Sequence, residues 1–232
     1  MSAPLVGVLG LIALLAPIAM GVVGICGGVY LNGMFSLGFI LGSQPFVTSS
    51  SYSLSVIPLF VMMGAFASRA GLSASLYQSL HTLIGHWRGG LASATVGACA
   101  LFGSVCGSSL ATAATMARVA MPEMTAVGYD RRLTSGSVAA GGTLGILIPP
   151  SIIMVIYALL TEQSIGRMFL AGMIPGLLAA VLYMTTIYLI ATLKPSWAPR
   201  MRRGAGTSRL TAFRQMSPIL SLFVVVMGGI YA

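Results

Sequence analysis

The stretch Gly103-Ser104-Val105-Cys106-Gly107-Ser108-Ser109-Leu110-Ala111-Thr112-Ala113-Ala114 places glycine and small polar residues at the centre of a long apolar segment, residues 89–122. Lipid offers no hydrogen-bond partners to a chain that leaves helical geometry, so such a break is tolerated only where protein or a bound group satisfies the backbone. We therefore expect the rest of the chain to be arranged around this stretch.

The composition is that of a membrane protein. Of 232 residues, 57% are hydrophobic and 6% are charged, whereas a soluble domain has about 25% charged residues. Apolar runs of about 20 residues, the length of a membrane-crossing helix, recur along the chain. The alternating segments of about 10 residues that mark transmembrane strands are not found. The sequence therefore predicts an all-α polytopic membrane protein.

The net charge of +9 does not indicate a nucleic-acid partner, because the basic residues follow the pattern of a membrane topology. Six of them fall in one stretch between apolar runs, which we expect to be cytoplasmic. Counting spans back from that stretch also places the N-terminus in the cytoplasm if the apolar helix from Leu54 to Ser68 runs inwards. The six residues are Lys194, Arg200, Arg202, Arg203, Arg209 and Arg214.

The apolar runs and their connections divide the chain into seven expected segments. They are N-terminal scaffold helices (1–70), an amphipathic connecting helix (71–87), a re-entrant hairpin (88–125), a discontinuous transmembrane helix (133–160), a transmembrane helix (165–193), the basic cytoplasmic loop (194–214) and the start of a further transmembrane helix (215–232).

The hairpin follows from length and charge. The polar stretch divides its segment into two arms, each about 15 residues or about 22 Å long, which passes the midplane of a bilayer without crossing it. Arg88 precedes the arms, and Arg131 and Arg132 follow them. If these cations face the cytoplasm together, the chain must enter and return on the same side, as a re-entrant hairpin does.

A second break is expected in the segment after the hairpin, within Gly141-Gly142-Thr143-Leu144-Gly145-Ile146-Leu147-Ile148-Pro149-Pro150-Ser151. Tandem prolines remove two backbone donors and push the preceding residue out of helical geometry. A packed proline kink is one interpretation. Two neighbouring breaks favour the other, a discontinuous helix that forms half of a site. The predicted structural breaks are Gly103, Gly107, Pro149 and Pro150.

The chemistry available at these breaks suits a hard cation. Unwound helix ends offer carbonyl oxygens and N–H groups, and serine and threonine add hydroxyls. Thr112 and Thr115 could line the cavity or bond back to their own helix. No carboxylate lies in mid-span, which disfavours a proton relay within the chain. We find no catalytic residues, no nucleotide-binding motif and no cysteine spacing for a metal site, so we do not expect an enzyme.

At these residues the sequence resembles the large membrane subunit of tripartite ATP-independent periplasmic (TRAP) transporters, over essentially the whole chain. The matching motifs are Ile57-Pro58-Leu59-Phe60 with Met63-Gly64, Cys106-Gly107-Ser108-Ser109-Leu110-Ala111-Thr112-Ala113-Ala114, Met121-Pro122-Glu123-Met124, Gly128-Tyr129-Asp130-Arg131-Arg132, and Gly142-Thr143-Leu144-Gly145-Ile146-Leu147-Ile148-Pro149-Pro150-Ser151.

The resemblance implies an elevator-type secondary transporter in the bacterial inner membrane, coupled to sodium and without other cofactors. It implies three partners: a small membrane subunit, a periplasmic substrate-binding protein and an organic acid such as a dicarboxylate, keto acid or sugar acid. It also implies sodium ligands at Cys106, Ser109, Gly145, Ile148 and Pro150, chiefly through carbonyls. Ser108 and Thr112 are the substrate-facing candidates.

Two departures from the family pattern matter. Cys106 stands where the family commonly has serine, so a hydroxyl ligand would be lost if the side chain binds. The second inverted repeat of the family is absent, and we expect this chain to be an N-terminal half that does not transport alone. Two alternatives stay open: a non-transporting membrane scaffold, and a sodium/carboxylate carrier that needs no binding protein.

Overall fold

The structure, a computed structural model, describes residues 18–31, 52–199 and 209–231 with isolated positions at 15, 33, 38, 42, 43 and 46. The chain divides into two units, Met1–Ser55 and Val56–Ala232. The described residues contain no β-strand. The prediction of an all-helical fold is therefore confirmed for the part of the chain that can be described.

The helices are named in chain order. In the first unit, Ile18–Leu31 is helical and is called α1. The sequence predicts a first transmembrane helix from Pro4 to about Leu31, and apart from Leu15 the part of it before Ile18 lies outside the described residues. The other helices are α2 (Tyr52–Arg69), α3 (Leu72–Ile84), α4 (Gly90–Cys106), α5 (Ser109–Ala126), α6 (Arg131–Leu147), α7 (Ile152–Leu160), α8 (Ile165–Leu193) and α9 (Arg209–Tyr231), with a short 3₁₀ turn at Pro195–Trp197.

Helices α4 and α5 run antiparallel. Thr95 lies near the start of α4 and Met124 near the end of α5, yet Thr95 Oγ1 is 3.5 Å from Met124 Sδ. Just beyond α5, the phenol of Tyr129 lies in hydrogen-bonding contact with the backbone of Leu91, and burial raises the pKa of the phenol. The two arms therefore form a helical hairpin that leaves and returns at one end.

Helix α6 is the element against which the hairpin packs, since it contacts both α4 and α5. The arm α4 is buried along nearly its whole length and also contacts α3 and α8. Its sequence, GLASATVGACALFGSVC, is rich in glycine, alanine and serine. Small residues let helix backbones approach closely, which is how helices gain packing energy where lipid removes the hydrophobic drive to associate.

Length and composition identify the helices able to cross a membrane among the described residues. Helix α8 qualifies alone, with 29 residues. Two bent pairs also qualify if each is taken as one span: α2 with α3, bent by 62°, and α6 with α7, bent by 41°.

Two helices differ in extent from the sequence-based segments. Helix α9 begins at Arg209, inside the stretch expected to be a basic loop, because arginine is a good helix former and no glycine or proline separates it from the apolar run. Helix α2 has 18 residues, whereas the sequence predicts an apolar helix of about 15 residues from Leu54 to Ser68. The centre of the basic loop, 200–208, lies outside the described residues.

Candidate functional site

The hairpin tip, Cys106 to Ser109, is built by one glycine and one serine. Helix α4 ends at Cys106, and Gly107 follows in the left-handed conformation with φ +64°, where a side chain would be strained. Ser108 is extended, and its hydroxyl accepts a hydrogen bond from the Ala111 N–H at 3.4 Å, which caps α5. The chain thus changes from a helix C-terminus to a helix N-terminus within two residues.

The second break, Ile148 to Ser151, resembles the hairpin tip: one helix ends, and an extended serine caps the next. Helix α6 ends at Leu147, and Ile148 leaves helical geometry at φ −90° and ψ 120°, as expected for a residue that precedes a proline. Ser151 is extended and accepts a hydrogen bond from the Met154 N–H at 3.4 Å, which caps α7. This segment is therefore a discontinuous helix rather than a single kinked one.

The hairpin tip and the second break touch each other. The Ile152 N–H donates to the Gly107 carbonyl at 3.3 Å. A β-carbon on Gly107 would lie 3.1 Å from the Pro150 carbonyl oxygen. Two helix C-termini (α4, α6) and two N-termini (α5, α7) consequently meet at one place, where their partial charges of about −0.5 and +0.5 are concentrated. Such a place can bind both a cation and an anion.

Glycines allow this close approach. A β-carbon on Gly103 would lie 2.5 Å from Cα of Gly145, which is closer than real β-carbons come to other atoms. A β-carbon on Gly142 would lie 2.7 Å from Cβ of Ala113. The hairpin and α6 therefore pack very closely, and the glycines keep the hairpin tip next to the second break.

Thr112 carries an unsatisfied polar atom at this junction. Its side chain is 0% exposed, and Oγ1 makes no hydrogen bond to any residue that the structure describes. The hydroxyl lies 2.8 Å from the position a Gly145 β-carbon would occupy. The Cys106 thiol, a weak hydrogen-bonding group, interacts with it electrostatically but does not meet the geometry of a hydrogen bond. A buried hydroxyl without a partner costs about 1–3 kcal/mol. Such a group is a ready ligand for a cation.

A cavity of about 300 Å³ opens beside the hairpin tip. Helix α2 forms the facing wall, and its Gly64 packs against the tip: a β-carbon there would lie 3.0 Å from Cα of Cys106. None of the described lining residues is basic or acidic. The lining consists of Val61, Gly64, Ala65, Ser68, Phe102, Cys106, Ser108, Ala111, Thr115 and Ile152.

The structure brings most of the predicted site residues together but separates the two substrate-facing candidates. Ser108 lines the cavity, whereas Thr112 is buried against Gly145. Cys106 and Ser109 flank Gly107 and Ser108 at the tip, and Gly145, Ile148 and Pro150 lie at or just before the second break. Within the described ranges, no three His, Cys, Asp or Glu side chains are grouped to hold a metal ion.

Sequence reasoning missed the wall contributed by α2. Gly64 belongs to a quoted motif, but nothing in its neighbourhood indicates that it packs on a residue of the hairpin tip. Phe102 and Ile152 were missed as lining residues because each is an apolar residue in an apolar run. The contact between Gly64 and Cys106 depends on tertiary packing alone.

Comparison with known proteins gives a consistent result. The family model for the DctM component of the tripartite ATP-independent periplasmic transporter matches residues 5–232. The large permease protein DctM of a C4-dicarboxylate TRAP transporter from Pseudomonas aeruginosa is 43% identical over 192 residues, which cover 83% of this chain and 44% of that protein.

Other relatives carry different substrate names. The ectoine/5-hydroxyectoine TRAP transporter large permease protein of Ruegeria pomeroyi is 33% identical, over 77% of this chain and 41% of that protein. The sialic acid TRAP transporter permease protein of Haemophilus influenzae is 31% identical, over 78% of this chain and 29% of that protein. The chain thus spans less than half the length of these relatives.

Proposed function

This chain belongs to the family of the DctM component of TRAP transporters, and from that membership we propose that it supplies one sodium site and part of the substrate cavity of a sodium-coupled importer of organic acids. The observation that carries the proposal is the meeting of four helix ends at the hairpin tip and the second break. The proposal covers the complete transporter, of which the chain spans a part.

The donor set at this junction suits sodium. Hard cations prefer oxygen ligands, and carbonyls at helix C-termini carry partial negative charge without needing a carboxylate. We assign the site to backbone oxygens of Cys106 and Ser109 at the tip and of Gly145, Ile148 and Pro150 at the break. A cation held by neutral dipoles can be released when the tip and the break move apart, as coupled transport requires.

Thr112 adds a side-chain ligand to this set. Its hydroxyl is buried and unpaired, and it lies between the tip and Gly145. We therefore move Thr112 from the substrate-facing candidates to the ion site. A bound cation would supply the partner that this oxygen lacks, so binding would remove the desolvation cost of a buried hydroxyl.

The substrate is proposed to bind in the cavity beside the tip. Ser108 and Thr115 are polar groups on the hairpin side of that cavity, and Ser108 caps the N-terminus of α5. Helix N-termini stabilise anions through their free N–H groups and partial positive charge. An organic carboxylate at Ser108 would thus lie next to the sodium ion, and each would favour binding of the other.

The remaining parts of the proposal follow from the family. A periplasmic binding protein delivers the organic acid, a small membrane subunit braces the scaffold, and the hairpin moves relative to the scaffold in an elevator motion. The location is the bacterial inner membrane, with the N-terminus in the cytoplasm. The close Gly64–Cys106 contact supports sliding at this interface, because glycine leaves no side chain to obstruct it.

The test is uptake into proteoliposomes that contain the transporter assembled with this chain, using a labelled C4-dicarboxylate, sialic acid or ectoine. Uptake should require an inward sodium gradient, a matching binding protein and no ATP. Uptake with sodium but without any binding protein would instead identify a carrier that works alone. Uptake that is the same in choline and in sodium would contradict sodium coupling.

A further inference from the structure

A second cavity, of about 240 Å³, lies away from the proposed transport site, between α6, α8 and the 3₁₀ turn. It extends along α6 from Arg132 to Ala140, which is about 12 Å at 1.5 Å per residue. This is the end of α6 remote from the second break. The cavity is lined by Arg132, Leu133, Gly136, Ser137, Ala140, Tyr183, Thr186, Ile187, Ile190 and Trp197.

The floor of this second cavity, which we call the groove, is apolar and open. A β-carbon on Gly136 would meet no atom within 4 Å, so the glycine leaves space rather than making a close contact. Leu133, Ile187 and Ile190 supply the apolar walls. An apolar groove of about this length on a membrane helix suits part of an extended hydrocarbon chain better than a compact polar ligand.

The mouth of the groove is cationic and aromatic. The Arg132 guanidinium forms no ion pair with any residue in the described part of the chain. The Lys194 ammonium lies 4.4 Å from the ring centre of Trp197, and Trp197 is one of the residues that line the groove. Tryptophan and basic side chains at the end of a membrane helix mark the cytoplasmic headgroup region.

The nearby carboxylate, Asp130, forms no ion pair with the Arg132 guanidinium in the described part of the chain. Asp130 Oδ1 accepts from the Arg132 backbone N–H at 2.8 Å, which caps α6. The Asp130 backbone N–H in turn donates to the Trp197 carbonyl at 3.0 Å. This second hydrogen bond joins the start of α6 to the 3₁₀ turn. It holds Trp197 at the groove, near Arg132 and Lys194.

We propose that this groove binds one anionic glycerophospholipid of the cytoplasmic leaflet, with the phosphate at Arg132 and Lys194 and one acyl chain along Gly136. Basic pockets between transmembrane helices on the cytoplasmic side have the charge that such headgroups need. An acyl chain gains little by leaving one apolar environment for another, so selectivity must come from the headgroup charge. The lipid would join α6 to α8 at the end remote from the ion site.

The experiment uses Trp197 as the reporter, in the transporter assembled with this chain and placed in nanodiscs. Dibrominated phosphatidylglycerol and dibrominated phosphatidylcholine are titrated in turn, and the Trp197 signal is defined as the emission lost in Trp197→Phe. We expect half-maximal quenching at a mole fraction of phosphatidylglycerol on the order of tenfold below that of phosphatidylcholine, since two cations face the headgroup.

Two pairs of variants decide the outcome. Arg132→Gln with Lys194→Gln should abolish the preference, whereas Arg167→Gln, an exposed cation at the other end of α8, should keep it. Gly136→Leu should weaken quenching by both lipids, whereas Ala139→Leu, exposed on the same helix but outside the groove, should not.

Equal quenching by the two lipids, or a preference that survives the double charge variant, would overturn the proposal. Unchanged quenching in Gly136→Leu combined with loss of transporter assembly would also overturn it, because protein rather than lipid would then fill the groove.

Discussion

Gly103 on the hairpin and Gly145 on the discontinuous helix touch backbone to backbone: a β-carbon on Gly103 would lie 2.5 Å from Cα of Gly145. This contact brings the C-terminal ends of α4 and α6 together. The carbonyls that lose helical partners at both ends can therefore face one ion. The proposed sodium site requires this close contact between Gly103 and Gly145.

Gly103→Ala tests the approach. The added methyl group should force the hairpin and α6 apart and lower the free energy of unfolding by about 1–3 kcal/mol. Gly136→Ala is the matched control on α6, because its β-carbon meets nothing and alanine favours a helix by about 1 kcal/mol. Thermal unfolding of both variants is the measurement. Equal stability of the two variants would show that the contact is not tight.

Gly107→Ala tests the geometry of the hairpin tip. Alanine at φ +64° should cost about 1–2 kcal/mol, and its β-carbon would also crowd the Pro150 carbonyl at 3.1 Å. Gly128→Ala has the same kind of backbone, φ +85°, with open space around it. Gly107→Ala should therefore be the more destabilising of the two in the same unfolding assay, and the reverse order would contradict the contact between tip and break.

The re-entrant hairpin predicts the sidedness of two exposed arginines. Arg88→Cys and Arg131→Cys, each in a Cys26→Ser background, should react with a membrane-impermeant maleimide from the cytoplasmic side only. The physical reason is the antiparallel pairing of Thr95 with Met124, which returns the chain to the side it left. Glu162→Cys, in the turn before α8, should react from the opposite side. Labelling of the two arginine positions from different faces would refute a re-entrant hairpin.

Cys106→Ser tests how residue 106 binds the ion. If only the carbonyl is a ligand, the sodium concentration for half-maximal uptake should change by less than about threefold, well under the tenfold that about 1.4 kcal/mol would produce. Serine is smaller than cysteine, so the tight contact with Gly64 is not worsened. A large gain in sodium affinity would instead show that the side chain takes part.

The sequence predicts the positions of both breaks well, because glycine, proline and serine act locally. Cys106 ends α4 and Ser108 caps α5 as the small polar stretch suggests, and the tandem prolines end α6 at Leu147. The basic residues on both sides of the hairpin also indicate its return.

Facts of tertiary packing could not be predicted in the same way. Thr112 and Thr115 lie one turn apart on α5, and which of them faces the cavity depends on the face that packs against α6. The sequence offers both threonines as cavity-lining candidates and makes Thr112 the substrate-facing one, whereas in the structure Thr115 lines the cavity and Thr112 does not. The Gly64 wall is likewise set by packing between distant segments.

The stability of Thr112→Val as a function of sodium concentration tests the central claim most directly. Thr95→Val is the matched control: Thr95 is also 0% exposed, but its hydroxyl bonds back to the Leu91 carbonyl at 2.9 Å. Unfolding temperatures are measured in sodium and in choline at equal ionic strength.

For the wild type and for Thr95→Val, sodium at about 100 times its Kd should stabilise the protein by about 2.7 kcal/mol relative to choline. In choline, Thr112→Val should be more stable than the wild type, because it removes a buried hydroxyl without a partner. It should also lose most of the stabilisation by sodium. A Thr112→Val variant that is no more stable in choline and responds to sodium like the wild type would contradict the proposed site.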